Sequence, residues 1–435
     1  MAIAAVPDYL LGVCTDFSQA SPGLRFGMLL PLWGVDQRSG EQLWGTSDIN
    51  YRSTGPQNQE RRFEDKNKTP ALCSALALNK SDLDLLAALR QRQAALAAPL
   101  AAQGRLLVLD AVAVAPFTTG LGNEHPLENG FAFLNPYGLP YLPGSGVKGV
   151  LRQAARELAQ HQWGDAQGWT TAAIDALFGL PDPAADPDEP SVFQRGALLF
   201  WDVLPQIAGN RLQVEVMTPH QSHYYQNDTK SPNGANPHES GQPNPINFLT
   251  VPPGSAFVFH IQCNLPLLAR TAPDLADNNQ WQRLMQAALR HAFAWLGFGA
   301  KTAVGYGAMA EDAKARQLRE QQAVLQREAA ATQARTERIA AMGPAEREAE
   351  AAASRLAEFR LLLADEQQRK QYKPGSAFDG VRADFLNYAL TLSMAASRQA
   401  AALALRESYK FTDWPGKKER KAQVKAALTG LDGQA

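Results

Sequence analysis

One glycine-rich segment, residues 138–152 (GLPYLPGSGVKGVLR), combines residue types that bind anions. Its glycines let the backbone approach another molecule closely, and the helical spacing from Val147 leaves free amides at a helix start, where anions bind. Ser145 is expected to cap that helix, while Lys148 and Arg152 lie one turn apart on one side. The segment predicts a phosphate cradle; the alternative is a strand-to-helix turn with a solvated lysine. The predicted binding residues are Gly144, Ser145, Gly146, Lys148 and Arg152.

A second glycine-rich segment, residues 297–307 (GFGAKTAVGYG), has the same character. Gly299 permits a positive φ and close approach, Lys301 supplies charge, and Tyr306 offers a face on which a base can stack. The alternative is a tight turn that joins a helix to a strand. Two such segments in one chain, each with a lysine among glycines, favour a shared site for an RNA sugar-phosphate backbone.

Neither segment matches a nucleotide-binding loop. A Walker A loop needs Gly directly before its Lys and Ser or Thr directly after it, whereas Val147 and Gly149 flank Lys148 and Ala300 precedes Lys301. No strand leads directly into either glycine cluster, which argues against a dinucleotide site. We therefore expect no cofactor and no small-molecule substrate.

His220 and His223, with Tyr224 and Tyr225, form the only local cluster of possible acid–base groups in the sequence. Such residues could deprotonate a 2′-hydroxyl and protonate the leaving oxygen, so a metal-independent endoribonuclease is the main alternative function. The two histidines could also ligate zinc, but a third and fourth ligand are not evident, so we expect no metal. A hydrogen-bonded loop, a protein interface, or stacking of His220 and Tyr224 on RNA also remain open.

The elements that position these residues are mixed strands with few helices. Strand-like runs cover residues 105–117, 129–142, 196–205, 211–219 and 254–265, and helical periodicity covers 147–158 and 278–296. This pattern favours the α+β class over a doubly wound sheet. Residues 1–80 are irregular and should pack on the core, apart from a strand-like run at 24–30 (LRFGMLL). Asp202, after a strand, is interpreted as a turn residue that bonds nearby backbone. The core is predicted to span residues 81–310.

The C-terminal extension, residues 311–435, is rich in Ala, Glu, Arg and Gln. Sparse apolar residues at seven-residue spacing indicate a long exposed helix, which Gly343 and Pro344 should end. Apolar residues spaced by three or four between Phe378 and Leu392 predict an amphipathic helix. We interpret the extension as solvated surface; the alternatives are an assembly adaptor, or RNA contact through residues 406–425, which hold seven Lys and Arg against three Asp and Glu.

The overall charge excludes binding of RNA by bulk attraction. The chain has 435 residues and a formal net charge of -1. Residues 1–310 carry 21 Lys and Arg against 26 Asp and Glu, so RNA contact there needs a local groove and a few placed cations. Three widely spaced cysteines fit a reducing compartment. The sequence shows no secretory leader and no apolar run long enough for a membrane span, so we expect a cytoplasmic protein with no membrane partner.

Six segments, in chain order, resemble one protein family, and the first of them is PGLRF at Pro22–Phe26. The segments LPYLPGSGVKGVLR and GFGAKTAVGYG are similar to the helix entry and the C-terminal glycine-rich loop of the RAMP superfamily. TGLGNEHPLENGFAF, VEVMTPHQSHYY and NPINFLTVPPGSAFVFHI resemble one branch, subunit six of the type III-B CRISPR (Cmr) effector complex. The resemblance covers about residues 20–310 and not the extension. Gly146 departs from the Ser or Thr that is frequent in the superfamily, which removes one hydroxyl donor.

The resemblance implies an RRM-like, ferredoxin-like core and a role in antiviral defence. It also implies a place at the end of the backbone filament of the type III-B complex, as a backbone or capping subunit beside the other effector subunits. It also implies contact with the crRNA, on its 3′ side, and with the duplex of guide and target RNA. Target cleavage in such complexes is attributed to a different subunit, so the resemblance implies a non-catalytic role.

Overall fold

The chain divides into two units, Met1–Leu318 and Arg319–Ala435. The computed structural model describes residues 3–4, 16–43, 45–54, 58–161, 166–180, 195–218, 245–369, 375–411 and 418–432, and positions 221, 224, 225, 227, 230, 372 and 373. Among these residues, no helix combines the length and apolar character that a membrane span requires. The predicted boundaries of the core, at residues 80 and 310, are not tested by this division and stay predictions.

The secondary structure alternates short strands with helices and ends in helices alone. The strands are β1 Ile3–Ala4, β2 Pro31–Val35, β3 Gln42–Leu43, β4 Ser47–Thr54, β5 Gln59–Lys66, β6 Leu106–Ala113, β7 Phe133–Leu134, β8 Leu139–Pro140, β9 Leu198–Phe200, β10 Gln213–Met217, β11 Ile246–Thr250, β12 Ala256–Cys263 and β13 Met309–Glu311. The helices are α1 Pro22–Gly27, α2 Lys68–Ser74, α3 Lys80–Ala102, α4 Gly144–Ala159, α5 Thr171–Phe178, α6 Leu265–Thr271, α7 Pro273–Ala276, α8 Gln280–His291, α9 Ala313–Ala341, α10 Pro344–Arg369, α11 Ala377–Thr391, α12 Ala395–Phe411 and α13 Lys418–Asp432.

Four strands form the central antiparallel sheet in the order β13-β6-β12-β9. Within this sheet, β6 comes first in the chain, β9 second, β12 third and β13 fourth. Helices α4 and α5 lie between the first and second strands in sequence, and α6 to α8 lie between the third and fourth. β10 and β11 pair with each other in a separate ribbon, from Gln213↔Thr250 to Met217↔Ile246. The predicted mixture of helix and sheet is confirmed.

The core lies on the face of this sheet that packs against α4 and α8. Alternate residues of β12 point to it, and Phe257, Phe259 and Ile261 are buried there because side chains of a strand alternate between its faces. α4 contributes Val147, Leu151, Ala154, Ala155 and Leu158, which are buried as their helical spacing predicts. Val150, predicted on the same face, is only half-buried. α8 contributes five buried residues to the same core: Trp281, Leu284, Met285, Ala288 and Leu289. These two helices hold the glycine-rich segments at their ends.

The predicted strand at residues 24–30 is wrong, because α1 occupies Pro22–Gly27. The Ser21 hydroxyl accepts a hydrogen bond from the Leu24 amide, and Pro22 fits the first helical position because its fixed φ is already helical. The Arg25 side chain is buried and donates to the carbonyls of Ala20, Ser74 and Ala77. Local capping therefore outweighs the apolar run that suggested a strand.

The second unit is helical, as its composition predicts. α9 ends at Ala341 and α10 begins at Pro344, so the chain breaks at the predicted glycine and proline. The apolar residues between Phe378 and Leu392 lie on α11 and just after it, where Phe378, Phe385 and Leu392 are buried. The Phe359 ring of α10 stacks on Phe385 with 4.3 Å between ring centroids. This unit thus has its own apolar core.

Candidate nucleic-acid interface

Both glycine-rich segments line one cleft of about 380 Å³. Its lining residues are Thr119, Gly120, Leu121, Gly122, Leu142, Pro143, Ser145, Gly146, Val150, Gly299 and Ala300. Three of the predicted binding residues, Ser145, Gly146 and Gly299, are therefore brought together. Among the described residues, no lining side chain is charged, so the cleft offers backbone amides, two hydroxyls and apolar contacts rather than cations.

The first wall of the cleft is the start of α4. Gly144 is buried, and a Cβ there would lie 2.2 Å from the Phe200 carbonyl oxygen, so only glycine fits beside the end of β9. The Gly144 amide donates to Asp202 Oδ1 at 2.7 Å. The predicted cap by Ser145 is wrong, since Ser145 lies inside the first turn and α4 has no side chain of its own as a cap. Asp202 stabilises the helix start instead, from 58 residues away.

Two amides of this turn remain available. Ser145 and Gly146 are exposed, and among the described residues no acceptor is bonded to their N–H groups. The first amides of a helix have no intrahelical acceptor, and they carry the positive end of the helix dipole. Both residues line the cleft, where their amides can donate to an anionic oxygen. The carboxylate of Asp202 at the neighbouring amide repels an anion, which favours the Gly146 side of the turn.

Asp202→Ala is expected to lower the free energy of unfolding by about 1 kcal/mol, because the Gly144 amide loses its acceptor and α4 loses a negative charge at its start. Asp202→Asn keeps an oxygen acceptor and should lose less. Urea unfolding followed by tryptophan fluorescence measures both changes. Equal unfolding midpoints for the wild type and Asp202→Ala would show that the cap contributes nothing.

The second wall is the glycine-rich loop after α8. The Ala300 amide donates to the Thr118 carbonyl at 2.8 Å, and a Cβ on Gly299 would lie 2.2 Å from the same oxygen. Gly299 has a φ of +90°, a conformation that glycine adopts freely. The Gly307 amide donates to the Pro116 carbonyl at 2.8 Å, which fixes the loop at its other end. The loop is thus held tightly against residues 116–118.

Lys301 and Tyr306 turn away from the cleft lining toward the β10–β11 ribbon. Lys301 Nζ donates to Met217 Sδ at 3.1 Å and lies 5.5 Å from the centroid of the Phe248 ring. The Tyr306 hydroxyl donates to Glu215 Oε2 at 3.4 Å, and its pKa is raised by burial and by that carboxylate. Both side chains therefore contact the ribbon in this structure, and their predicted contacts with RNA stay predictions.

The third wall, Thr119–Gly122, is a part of the site that the residue types alone did not predict. The segment stood out only for its resemblance to a family motif. The Ala132 amide donates to the Thr119 carbonyl at 3.0 Å, and this hydrogen bond stabilises the turn. Gly120 has a φ of +74° in the turn. The sequence feature that could have identified this wall is a pair of glycines among small polar residues, directly after a long predicted strand.

Lys148 and Arg152 lie beside the cleft rather than in its lining. Arg152 Nη2 donates to the Gly179 carbonyl at 2.8 Å. Partial burial lowers the pKa of Lys148, and the charges of Arg152 and Arg195 lower it further. Arg195 is exposed, and its backbone forms an antiparallel bridge with Gly179. Arg195 was not predicted, because nothing in the sequence links it to a helix start more than forty positions earlier.

Of the predicted histidine cluster, the structure describes only the two tyrosines. His220 and His223 lie outside the described residues. The rings of Tyr224 and Tyr225 contact each other edge to face at 5.3 Å, and Tyr225 is 81% exposed. Within the part of the chain that the structure describes, no group of three or more His, Cys, Asp or Glu side chains could hold a metal ion.

The two core helices, the three-walled cleft and most of the sheet lie in the part of the chain that matches a family model. Residues 110–310 match the RAMP superfamily, so the predicted resemblance is confirmed over this range. The chain is also similar to the CRISPR system Cmr subunit Cmr6 of Pyrococcus furiosus, with 28% identity over 232 residues. The match covers 44% of this chain and 64% of that relative, so the chain spans less than two thirds of the relative's length.

Two solved structures are similar as well. One is a cryo-EM structure of the type III-B Cmr-beta complex bound to cognate target RNA, with a TM-score of 0.34, 19% identity, and coverage of 52% of this chain and 64% of that chain. The other is the crystal structure of Cmr6 from Pyrococcus furiosus, with a TM-score of 0.26, 23% identity, and coverage of 48% and 98%.

Proposed function

We propose that this chain is a non-catalytic RNA-binding subunit of a type III-B CRISPR ribonucleoprotein. The observation that carries the proposal is the single cleft lined by both glycine-rich segments, inside the part of the chain that matches the RAMP superfamily. The amides of Ser145 and Gly146 supply donors for a phosphate oxygen. Gly146 leaves room for the close approach of a sugar-phosphate backbone, while Lys148 and Arg152 offset its charge.

The finer fold assignment is part of this proposal. We infer that the core is ferredoxin-like, of the kind found in RRM proteins. Two observations support it: the sheet order of fourth, first, third and second strand, and helices in the first and last of the three connections. Residues 1–80 would then pack on this core, and residues 311–435 would form an extension to it.

The partners follow from the similarity to a Cmr subunit. We infer that the chain contacts the crRNA on its 3′ side and the duplex of guide and target RNA, together with other effector subunits, in the cytoplasm. Base pairing between guide and target reads the sequence, so the protein needs contacts only with the backbone. The excess of carboxylates in residues 1–310 confines such contacts to a local site.

The double variant Lys148→Ala, Arg152→Ala tests the proposal. Each lost phosphate contact should reduce the salt slope of single-stranded RNA binding by about 0.7, so the two together should reduce it by about 1.4. Affinity at 0.15 M salt should then fall about tenfold. Fluorescence anisotropy of labelled guide RNA, read over a series of NaCl concentrations, measures both the slope and the affinity, for the chain alone and in the assembled complex.

The charge-conserving variant Lys148→Arg, Arg152→Lys is the matched control and should keep the wild-type slope. An unchanged slope in the alanine variant would refute this site.

The same preparation also tests the endoribonuclease alternative, which requires cleavage of RNA by the purified chain and the loss of that cleavage in His220→Ala or His223→Ala. Intact RNA after prolonged incubation supports the non-catalytic proposal.

A further inference from the structure

A row of cations continues from the cleft along the exposed face of α4. At about 100° per residue, Arg152 and Arg156 project within about 20° of Ser145, on opposite sides of it and about 40° from each other. Lys148 lies about 40° to one side of Arg152, and Arg195 lies close enough to Lys148 to lower the pKa of its amine. Lys148, Arg152, Arg156 and Arg195 are here called the basic track.

We propose that the basic track binds successive phosphates of the RNA strand whose backbone enters the cleft, with Arg156 and Arg195 as phosphate-binding residues in addition to Lys148 and Arg152. This inference rests on the proposed function and extends it by naming the path of the strand. α4 rises about 1.5 Å per residue, so the eleven steps from Ser145 to Arg156 span about 16 Å, enough for a few nucleotides.

The charge balance of the track supports an anionic ligand. Among the described residues, Lys148, Arg156 and Arg195 have no carboxylate within ion-pair distance. Glu157, the acidic residue next to Arg156, is directed to the other side, where its Oε2 lies 2.7 Å from His291 Nε2. Burial and the charge of Arg156 lower the pKa of Arg152, and the carboxylate of Asp175 opposes that shift. Within the described part of the chain these cations lie near few carboxylates, so they repel one another, and a bound phosphate chain relieves that repulsion.

The backbone fixes the track in place. The Gly179 carbonyl accepts the hydrogen bond from Arg152 Nη2, and Gly179 is also the residue that pairs with Arg195. Arg195 is thereby tethered beside α4 although it is far away in the sequence. Arg156 and Arg195 are exposed, so their guanidinium groups are accessible to a strand lying on this face.

The cleft and the track should contribute to affinity in different ways. The cleft lining carries no charge, so its hydrogen bonds and apolar contacts release few counterions and depend little on salt. The track supplies the cations, so it should account for the salt dependence. This separation is specific to the proposed path of the strand and is directly measurable.

The test uses the full chain with a fluorescent single-stranded RNA, titrated at several NaCl concentrations. Arg156→Gln, Arg195→Gln should reduce the salt slope by about 1.4 and weaken binding at 0.15 M salt about tenfold. The matched control Arg270→Gln, Arg283→Gln removes two exposed arginines of α6 and α8 and should keep the wild-type slope. Circular dichroism verifies that both variants are folded.

Three outcomes are distinguishable. A lower slope in the track variant alone supports the inference. A wild-type slope in the track variant, or an equal fall in the control, overturns the inference while leaving RNA binding itself intact. If the wild-type chain binds no RNA, either alone or in the assembled complex, the proposed function fails together with the inference.

Discussion

Gly299→Ala is expected to destabilise the first unit by about 3 kcal/mol or more. The new Cβ would lie 2.2 Å from the Thr118 carbonyl oxygen and 2.7 Å from Phe117 Cε2, and Phe117 is fully buried. The backbone at a φ of +90° is also unfavourable for alanine. The loop must therefore move away from residues 117–118, which opens the second wall of the cleft. Denaturant unfolding, followed by the fluorescence of the buried Trp169 and Trp281, measures the loss.

The matched control for this variant is Gly305→Ala in the same loop. Gly305 has a similar φ of +96°, but a Cβ there would meet nothing within 4 Å. The control should lose only about 1 kcal/mol, the cost of the backbone conformation. The difference between the two variants isolates the close approach to Thr118. Equal destabilisation by both substitutions would mean that the loop is not held against this segment.

Gly146→Leu is expected to weaken RNA binding at least tenfold while the fold is preserved. Gly146 is helical, and a Cβ at this position would have Leu142 Cδ1 as its nearest neighbour, at an ordinary contact distance of 3.5 Å. The leucine side chain would extend into the cleft and block the approach to the exposed amides. Because the cleft lining is uncharged, the loss should be the same at every salt concentration. Anisotropy titrations over a salt series measure it.

Gly430→Leu is the control for the effect of leucine on an open helical glycine. A Cβ on Gly430, in α13 of the second unit, would meet nothing within 4 Å. Both variants should remain stable, since leucine favours the helix over glycine by about 0.5–1 kcal/mol. A folded Gly146→Leu protein that binds RNA with wild-type affinity would exclude the cleft as the RNA site.

The two glycine variants separate the structural and binding roles of the glycine-rich segments. Gly299 contacts the protein itself, so its replacement should act first on stability. A side chain at Gly146 would make only an ordinary contact with the protein. Its replacement should therefore weaken ligand binding and leave the free energy of unfolding almost unchanged. Such a difference cannot be inferred from the two segments as sequence motifs, because each shows only a lysine among glycines.

Local chemistry in the sequence determined much of the architecture. The 3.6-residue spacing that begins at Val147 fixed the buried face of α4, and Gly343 with Pro344 fixed the break between α9 and α10. Strong alternation or apolar runs located β6 and β12. These signals depend on neighbours within one or two turns of the chain, so the sequence alone was sufficient.

The tertiary structure decided the features that depend on distant contacts. Only the structure shows that Asp202 is the acceptor at the start of α4 and that Thr119–Gly122 line the cleft. Only the structure shows that Lys301 contacts the β10–β11 ribbon and that Arg195 lies beside Lys148. Each of these pairs is separated by tens of residues, and the partner of a backbone amide or a cation is set by sheet order and helix packing. Local propensity carries no information about such partners, so the site's chemistry became visible only when the core had assembled.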